Sequence, residues 1–567
     1  MNRIASSPSS AWGAWLHQQM EAHPFVVLGL LALALRLATM SFVPAPGYFD
    51  TYYHYGVASR LYHGHGFTET ITWYYFTLPA ALEHPTSSFW MSLHAVFIWL
   101  SFLVFGENLR AAQVPAMLFS SALAMLAAWF AWDLTRSRRY LWWTGLFTLF
   151  GGFWFPYWVG VDYFALYGLA GAGSLVMTYR AVRDDPRWFV PAGVCGALAY
   201  LTRAHGQLFV LTMVLCWACA VWRGRVRAVR SSLWLAAGLL AALLTVSPWV
   251  LLLQRHQGTP LSGGFSKLLF LRELNDVYLW DSQRLNWRYY LNLADPSAAW
   301  GLWPLVISKL TALWLNLGLW ARPAFFFMTP LLLLGLFGRR DGASKPLLGF
   351  RVEFWPFWIY SVMLYSLISL VFTFQGYLGT TFHAATALLP FVLPPALVGL
   401  DNALDWLGHR WRPEAREERR RIYPALAFAI VVGLSVVWMV GTTRLWRDYH
   451  HAHVAVAAAV APQVPAGAAV MIVDQPAYYH LTGQPAVAIP SEGPAAAAMA
   501  ARRYRVAFLI LEARVVPPSF IRFYEINGAG SADWTLASQP LPGVKLFKLS
   551  ARQNNRTASA APGTASN

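Results

Sequence analysis

The chain has 567 residues and a formal net charge of +17; 57% of its residues are hydrophobic and 12% charged. Soluble domains carry about 25% charged residues, and this much apolar surface would leave a soluble fold covered in exposed patches. A water-soluble protein is excluded, and the composition points to a multi-pass membrane protein.

The apolar residues come in blocks of the length a bilayer requires, about 20 residues. Residues 24–43, 109–132, 162–179, 232–253 and 354–374 are the clearest of them. Many of the 29 Trp residues stand at block ends, as interfacial aromatic belts require. The first block is long enough to span and reads as an uncleaved anchor. Cys195, Cys216 and Cys219 all lie in apolar blocks and are expected to be small buried side chains rather than a disulfide staple.

Most of the basic charge sits in five short links. These hold Arg136, Arg138 and Arg139; Arg180, Arg183 and Arg187; Arg223, Arg225, Arg227 and Arg230; Arg339, Arg340, Lys345 and Arg351; and Arg410, Arg412, Arg416, Arg419, Arg420 and Arg421. This is the pattern of cytoplasmic loops facing an anionic leaflet, and it is not that of a nucleic-acid-binding domain. Placing every basic link inside requires an even number of crossings between successive links. The apolar stretches 86–105 and 303–320 break that parity unless they lie along the outer face. The resulting expectation is an all-α polytopic protein with about eleven crossings, give or take two, and interfacial helices in the first exterior loop.

On this reading residues 1–23 are a cytoplasmic segment and 24–443 the transmembrane domain, with exterior loops at 44–110 and 255–322. Residues 444–550 form a small exterior α/β domain. Its runs "AAVMIVD" (468–474), "AVAIP" (486–490) and "VAFLILE" (506–512) are expected strands, with a helix over 494–504 started by Pro494. The tail 551–567 has a disordered composition.

The stretch "YFDTYYHYGVASRLYHGHGF" (48–67) follows the first crossing and places Asp50 at the membrane surface, ahead of a helix over about 51–62. Asp50 stands where it would also cap that helix; a cap holds a carboxylate rigidly, so capping and catalysis are compatible. Asp162, in "FPYWVGVDYF" (155–164), is a second acid at a crossing end, where an ionisable residue is a functional candidate. Arg36 inside the first crossing is expected to pair with an acid such as Asp162. His54, His63 and His65 lack a metal-ligand pattern, and Asp474 is expected to serve a turn at a strand end.

An acid straight after the first crossing, followed by Tyr53, Ala58, Leu61, Gly64 and Gly66, resembles the first exterior loop of C-type glycosyltransferases that use polyprenyl-phosphate sugars. The branch is that of the family 39 protein mannosyltransferases and the aminoarabinose transferases. "EHPTSSFW" (83–90), "LAYLTRAHG" (198–206), "SKLLFLRELNDVYLW" (266–280) and "GTTFHAATALLPF" (379–391) resemble further segments of that family. The resemblance covers roughly residues 25–400. It implies a membrane glycosyltransferase at the outer face of a bacterial plasma membrane, inverting, with Asp50 as general base. It also implies a polyprenyl-phosphate sugar as donor substrate and an acceptor hydroxyl of protein, lipid or glycan.

In that picture Asp162, Tyr53, Glu83 and His84 serve the acceptor or act as a second acid, and Arg203, His383, Lys267 and Arg272 bind the donor phosphate. No cofactor is expected to be required, and no metal site is assigned. Thr51 stands where many relatives have a second acid, and His205 where the Leu-Thr-Arg turn often has one. A transporter of lipid-linked saccharides and a non-enzymatic membrane scaffold are the competing readings. Most acids lie at the outer face and no repeat is evident, which favours the transferase.

Overall fold

Apolar blocks of this composition have to satisfy their backbone internally, and helices do so within one segment. The computed structural model describes residues 18–86, 90–258, 265–291, 301–338, 348–372, 376, 379–411 and 416–550. In chain order its principal helices are α1 (Pro24–Met40), α2 (Phe49–Tyr62), α3 (Leu93–Phe105), α4 (Leu109–Thr135), α5 (Arg138–Phe150), α6 (Phe164–Arg183) and α7 (Phe189–Thr202). They continue with α8 (Gln207–Trp222), α9 (Ala228–Gln257), α10 (Leu302–Asn316), α11 (Thr329–Phe337), α12 (Trp355–Ser366), α13 (Leu389–Trp411), α14 (Arg416–Val460), α15 (Gln475–Thr482) and α16 (Pro494–Tyr504). The expected disordered tail lies outside the described residues, as do Arg339, Arg340 and Lys345.

The chain forms two compact units, residues 1–47, 87–262 and 300–447 in the first and 48–86, 263–299 and 448–567 in the second. Among the described residues seven helical stretches are long and apolar enough to cross a membrane. One of them is Trp303–Ala321, a stretch the charge parity had assigned to the outer face. Only 22% of the apolar 18-residue window within it is buried, so an apolar surface is turned outward as a lipid-facing span requires. The nine-residue α11, by contrast, is only about 14 Å long and too short to cross alone. Helix α3, at 13 residues, also falls short of a span, as expected for a helix lying along the interface.

Within the first unit α13 is the centre: every residue from His383 to Asp401 is buried. Its approach to α11 is as close as backbones allow. A Cβ at Gly335 would meet the Pro395 carbonyl oxygen at 1.8 Å, and one at Gly399 the Leu331 carbonyl oxygen at 1.8 Å. Small residues are the usual means of such packing in membranes.

Several polar residues inside the unit find partners on other segments. Asn108 caps α4 by accepting from the Ala111 N–H at 2.9 Å. Arg36 does not pair with Asp162: its Nε donates to Ser120 Oγ at 3.0 Å and its Nη2 to the Leu149 carbonyl at 2.6 Å. Two neutral acceptors on neighbouring segments take its Nε and one Nη, while Nη1 has no hydrogen-bond partner. Near the helix ends, Asp133 accepts from the Tyr179 hydroxyl at 2.8 Å and pairs with Arg183 at 2.8 Å, while Glu353 pairs with Arg351 at 2.6 Å.

The second unit is built on a six-stranded mixed sheet. Its strands are β2 (Ile71–Thr72), β4 (Val470–Met471), β5 (Ala486–Val487), β6 (Phe508–Glu512), β7 (Trp534–Leu541) and β8 (Val544–Leu549), in the order β2-β5-β4-β6-β8-β7. Strands β2, β5, β4 and β6 run parallel, and β8 and β7 complete the sheet antiparallel. The sheet is therefore not made by the C-terminal residues alone, because β2 comes from the segment after α2. The pairs Ile71↔Ala486 and Thr72↔Val487 set its register, and the buried Tyr75 hydroxyl donates to the Ala488 carbonyl. Tyr75, Met471, Leu509, Leu511, Trp534 and Phe547 share one buried core with the alanines of α16.

Strands β4, β5 and β6 fall inside the three apolar runs, and α16 starts at Pro494 as expected. A two-stranded sheet pairs β1 (Thr68–Glu69) with β3 (His84–Pro85).

Candidate functional site

Asp50 lies in the first turn of α2 and is partly exposed. It is not the cap. The N-cap is Tyr48, whose N–H donates to Thr51 Oγ1 at 3.0 Å while Thr51 donates back to the Tyr48 carbonyl. Thr51 thus does the capping together with Tyr48, and Asp50 stands one position before Thr51 in the first turn. A carboxylate there is favoured by the helix dipole by about 0.3–1 kcal/mol.

One turn further along, the Tyr53 hydroxyl bonds Thr86 Oγ1 at 2.7 Å, and Thr86 donates to Glu69 Oε2 at 3.0 Å. The β1–β3 register sets Glu69 opposite His84. Glu69 Oε1 is 3.0 Å from His84 Nε2, and His84 Nδ1 is 2.8 Å from the Leu82 carbonyl. Burial opposes a charged His84, but the hydrogen bond and charge of Glu69, with the Leu82 carbonyl, outweigh it and raise its pKa above the ordinary histidine value. A histidine raised in the folded state stabilises fully below its unfolded pKa, about 6.5, and loses that contribution as pH rises through the folded value. Thermal unfolding midpoints are therefore expected to fall as pH is raised from about 6 past that value, and Glu69→Gln should flatten this dependence.

Glu83 is brought to the same unit by another route, with Arg60 Nη2 2.5 Å from its Oε1. Arg60 also donates to Thr68 at 2.7 Å and to the Tyr479 hydroxyl at 3.3 Å. Tyr52, Tyr53, Arg60, Glu69, Ile71 and Tyr479 are among the residues lining a narrow cleft between α2, the β1–β2 segment and α15.

Lys267 and Arg272 also belong to this unit, where each donates to a backbone carbonyl. Lys267 Nζ donates to the Phe76 carbonyl at 2.8 Å and to Ser282 Oγ at 2.9 Å. Burial lowers its pKa, with Asp281 opposing. The Arg272 guanidinium lies 3.9 Å over the Tyr289 ring and donates to the Tyr289 carbonyl. Asp474 caps α15 by accepting from the Ala477 N–H at 2.9 Å, and the Tyr449 hydroxyl donates to it.

The first unit gathers Asp162, Arg203 and His383 around a residue the sequence reading passed over, Tyr163. Asp162 is fully buried; its Oδ1 accepts from the Tyr163 N–H at 2.5 Å, and its Oδ2 has no hydrogen-bond partner. The Arg203 guanidinium donates to the Tyr163 hydroxyl and sits 5.0 Å over the Tyr163 ring and 5.3 Å over Trp90. Arg203 is placed by the C-terminus of α7, where its extended backbone leaves the helix. His383 stacks on Phe164 at 4.0 Å and on Tyr163 at 4.9 Å, and its Nδ1 is 2.6 Å from the Gly379 carbonyl. Buried His94 contacts the Tyr163 ring from a further side, at 6.4 Å. The cluster seats a guanidinium on two aromatic faces beside a buried acid. Among the described residues no group of three His, Cys, Asp or Glu side chains is placed to hold a metal ion.

No protein-family model and no curated protein matches the sequence. Solved structures do. ArnT from Cupriavidus metallidurans bound to undecaprenyl phosphate superposes with a TM-score of 0.52 at 12% identity, over 94% of this chain and 99% of that one. The oligosaccharyltransferase of Archaeoglobus fulgidus, tethered to an acceptor peptide containing the NVT sequon, gives a TM-score of 0.54 at 13% identity, over 88% of this chain and 70% of that one. At such identities the likeness is one of fold: this chain has the C-type glycosyltransferase fold that the sequence resemblance implied.

Proposed function

We propose that the chain is a membrane glycosyltransferase moving a sugar from a polyprenyl-phosphate donor to an acceptor hydroxyl at the outer face of a bacterial plasma membrane. The observation that carries this reading is Asp50, an acid in the first turn of α2 whose capping duty is taken by Tyr48 and Thr51. Support comes also from the fold, shared with ArnT bound to undecaprenyl phosphate and with an oligosaccharyltransferase solved with a dolichol-phosphate. In the proposed reaction Asp50 takes the proton of the acceptor hydroxyl. The acceptor oxygen bonds the anomeric carbon from the side opposite the phosphate, the carbon–phosphate oxygen bond breaks, and polyprenyl phosphate leaves with inversion.

Arg203 and His383 are assigned to the leaving phosphate, because a guanidinium seated on two rings presents its charge with little reorganisation. Lys267 and Arg272 are assigned to holding their own loops, since their donors already meet carbonyls. Asp162 is the proposed second acid. Tyr53, Glu83 and His84 are placed with the acceptor, on the strength of Tyr53 lining the cleft and of its bonds towards His84.

The test is sugar transfer in proteoliposomes, with a panel of radiolabelled polyprenyl-phosphate sugars and native membrane extract as acceptor. Label is expected to move to an acceptor. Lipid-linked sugar crossing the bilayer with no transfer across the panel would replace this reading by the transporter. Arg203→Gln should lower kcat/KM roughly ten- to hundredfold, the worth of one charge-assisted hydrogen bond. Unchanged kinetics would remove Arg203 from the phosphate.

A further inference from the structure

At one end of the first unit the basic links differ sharply in how their charge is matched. Arg136, Arg180, Arg183 and Arg351 each meet a carboxylate: Asp133 at 3.0 Å, Asp184 at 3.0 Å, Asp133 at 2.8 Å and Glu353 at 2.6 Å respectively. The link between α8 and α9 holds Arg223, Arg225 and Arg227, the first turn of α9 adds Arg230, and no acid stands among them. Among the described residues none of these four forms an ion pair.

Two of them are nonetheless held in place. Arg223 lies 5.0 Å and Arg225 5.3 Å from the centroid of the same Trp355 ring. The turn that does this is local. Gly224 takes φ of +66°, and the Arg225 N–H returns to the Ala220 carbonyl at 2.8 Å, closing the end of α8. The residues on either side of the glycine therefore converge on one indole. Trp355 is itself fixed, packed with Trp217, Val226 and Ile359 against the buried cluster of Phe189, Ala220 and Val352. Two guanidinium groups gathered on one ring repel each other, and among the described residues no carboxylate pairs with either; an anion bridging them offsets that repulsion. Helix α9 adds to the same field, because its N-cap is Arg227 and its first turn has no acid.

The neighbouring surface says which anion. Trp222 is 82% exposed, Val229 79% and Leu233 68%, so large apolar side chains run from the arginines directly along the outer face of α9. A soluble phosphate has no use for that apolar track, whereas a phospholipid brings acyl chains to cover it. We propose that Arg223, Arg225 and Trp355, with the exposed stretch of α9, form a site for the headgroup of an anionic phospholipid, separate from the residues assigned to the transfer reaction.

Native mass spectrometry of the full-length protein tests this, with titration by phosphatidylglycerol and, separately, by phosphatidylcholine of the same chain length. Wild type should retain phosphatidylglycerol preferentially. Arg223→Gln/Arg225→Gln should weaken that retention roughly thirtyfold, the effect of two arginines at a headgroup, while Arg136→Gln, whose charge is already matched by Asp133, should not. Equal retention of the two lipids by wild type overturns the proposal, and this comparison stands even if the double variant fails to fold. Equal phosphatidylglycerol retention by wild type and double variant also overturns it. A third arm adds millimolar inorganic phosphate. Displacement of the lipid by it would mark a site for soluble phosphate and overturn the lipid assignment; persistence of the lipid supports it.

Discussion

Asp50→Asn is expected to slow sugar transfer by at least about a hundredfold, within the 10²–10⁴ range that a positioned general base contributes. Asparagine keeps the shape of the side chain and cannot take a proton. Because Tyr48 and Thr51 cap the helix, the substitution should leave α2 folded, which separates a chemical effect from a structural one. The loss should therefore appear in kcat, with KM for the donor little changed, as for an interaction made only in the transition state. Equal transfer by wild type and variant would remove Asp50 from the mechanism while leaving the fold untouched. A loss shared with Thr51→Ala would assign the effect to helix geometry instead.

Arg139→Ala should be the most destabilising single change in the first unit, by about 3–5 kcal/mol. Asp401 on α13 is almost fully buried, 2% exposed, and accepts from Arg139 Nη1 at 2.5 Å and Nη2 at 2.9 Å and from the Tyr140 hydroxyl at 2.5 Å. Arg139 also donates to the Arg420 carbonyl at 2.7 Å, so the same guanidinium joins α5, α13 and α14. Removing the cation strands a carboxylate in the interior with one hydroxyl for company. Removing the anion is milder, because the Arg139 side chain is 31% exposed and can turn to water. Thermal unfolding in detergent, followed by tryptophan fluorescence, should rank Arg139→Ala below Asp401→Ala. The double variant should regain part of the loss. The reverse order would mean that Arg139 stabilises through its bond to α14 more than through the ion pair.

The membrane character was legible in the residues because a bilayer imposes one length and one polarity on every span. The strands of the second unit were legible where they are buried on both faces, as in "VAFLILE". Segments whose role depends on what they meet were harder to read. Residues 303–320 were assigned by charge counting, which registers loops and is blind to how much apolar surface a helix turns outward. Helix α2 was recognised, but its cap was misplaced, since a tyrosine N-cap acting with Thr51 has no sequence signature as strong as an aspartate. Tyr163 was missed although its neighbour Asp162 was singled out. Its importance comes from His94, Arg203 and His383 converging on one ring, and three separate segments carry no shared pattern along the chain. Glu69 was missed for a similar reason: only the register of two two-residue strands sets it opposite His84.

Strand β2 gives the protein an order of assembly. Ile71 emerges from the ribosome early, yet Ala486, opposite it in the sheet, is made more than four hundred residues later. Until then the Thr70 and Thr72 carbonyls, which finally accept from Ala486 and Ala488, have no sheet to join. Closing a loop of that length costs only about 5 kcal/mol in the ideal-chain estimate, so the delay is one of timing rather than of stability. The residues after α2, and with them the surroundings of Asp50, reach their final form only once the last strands have been synthesised. A nascent chain halted short of Val470 therefore holds a complete α2 but lacks the sheet that its following segment completes. Quality control that recognises an unpaired β2 would detect truncation before any such chain met its substrates.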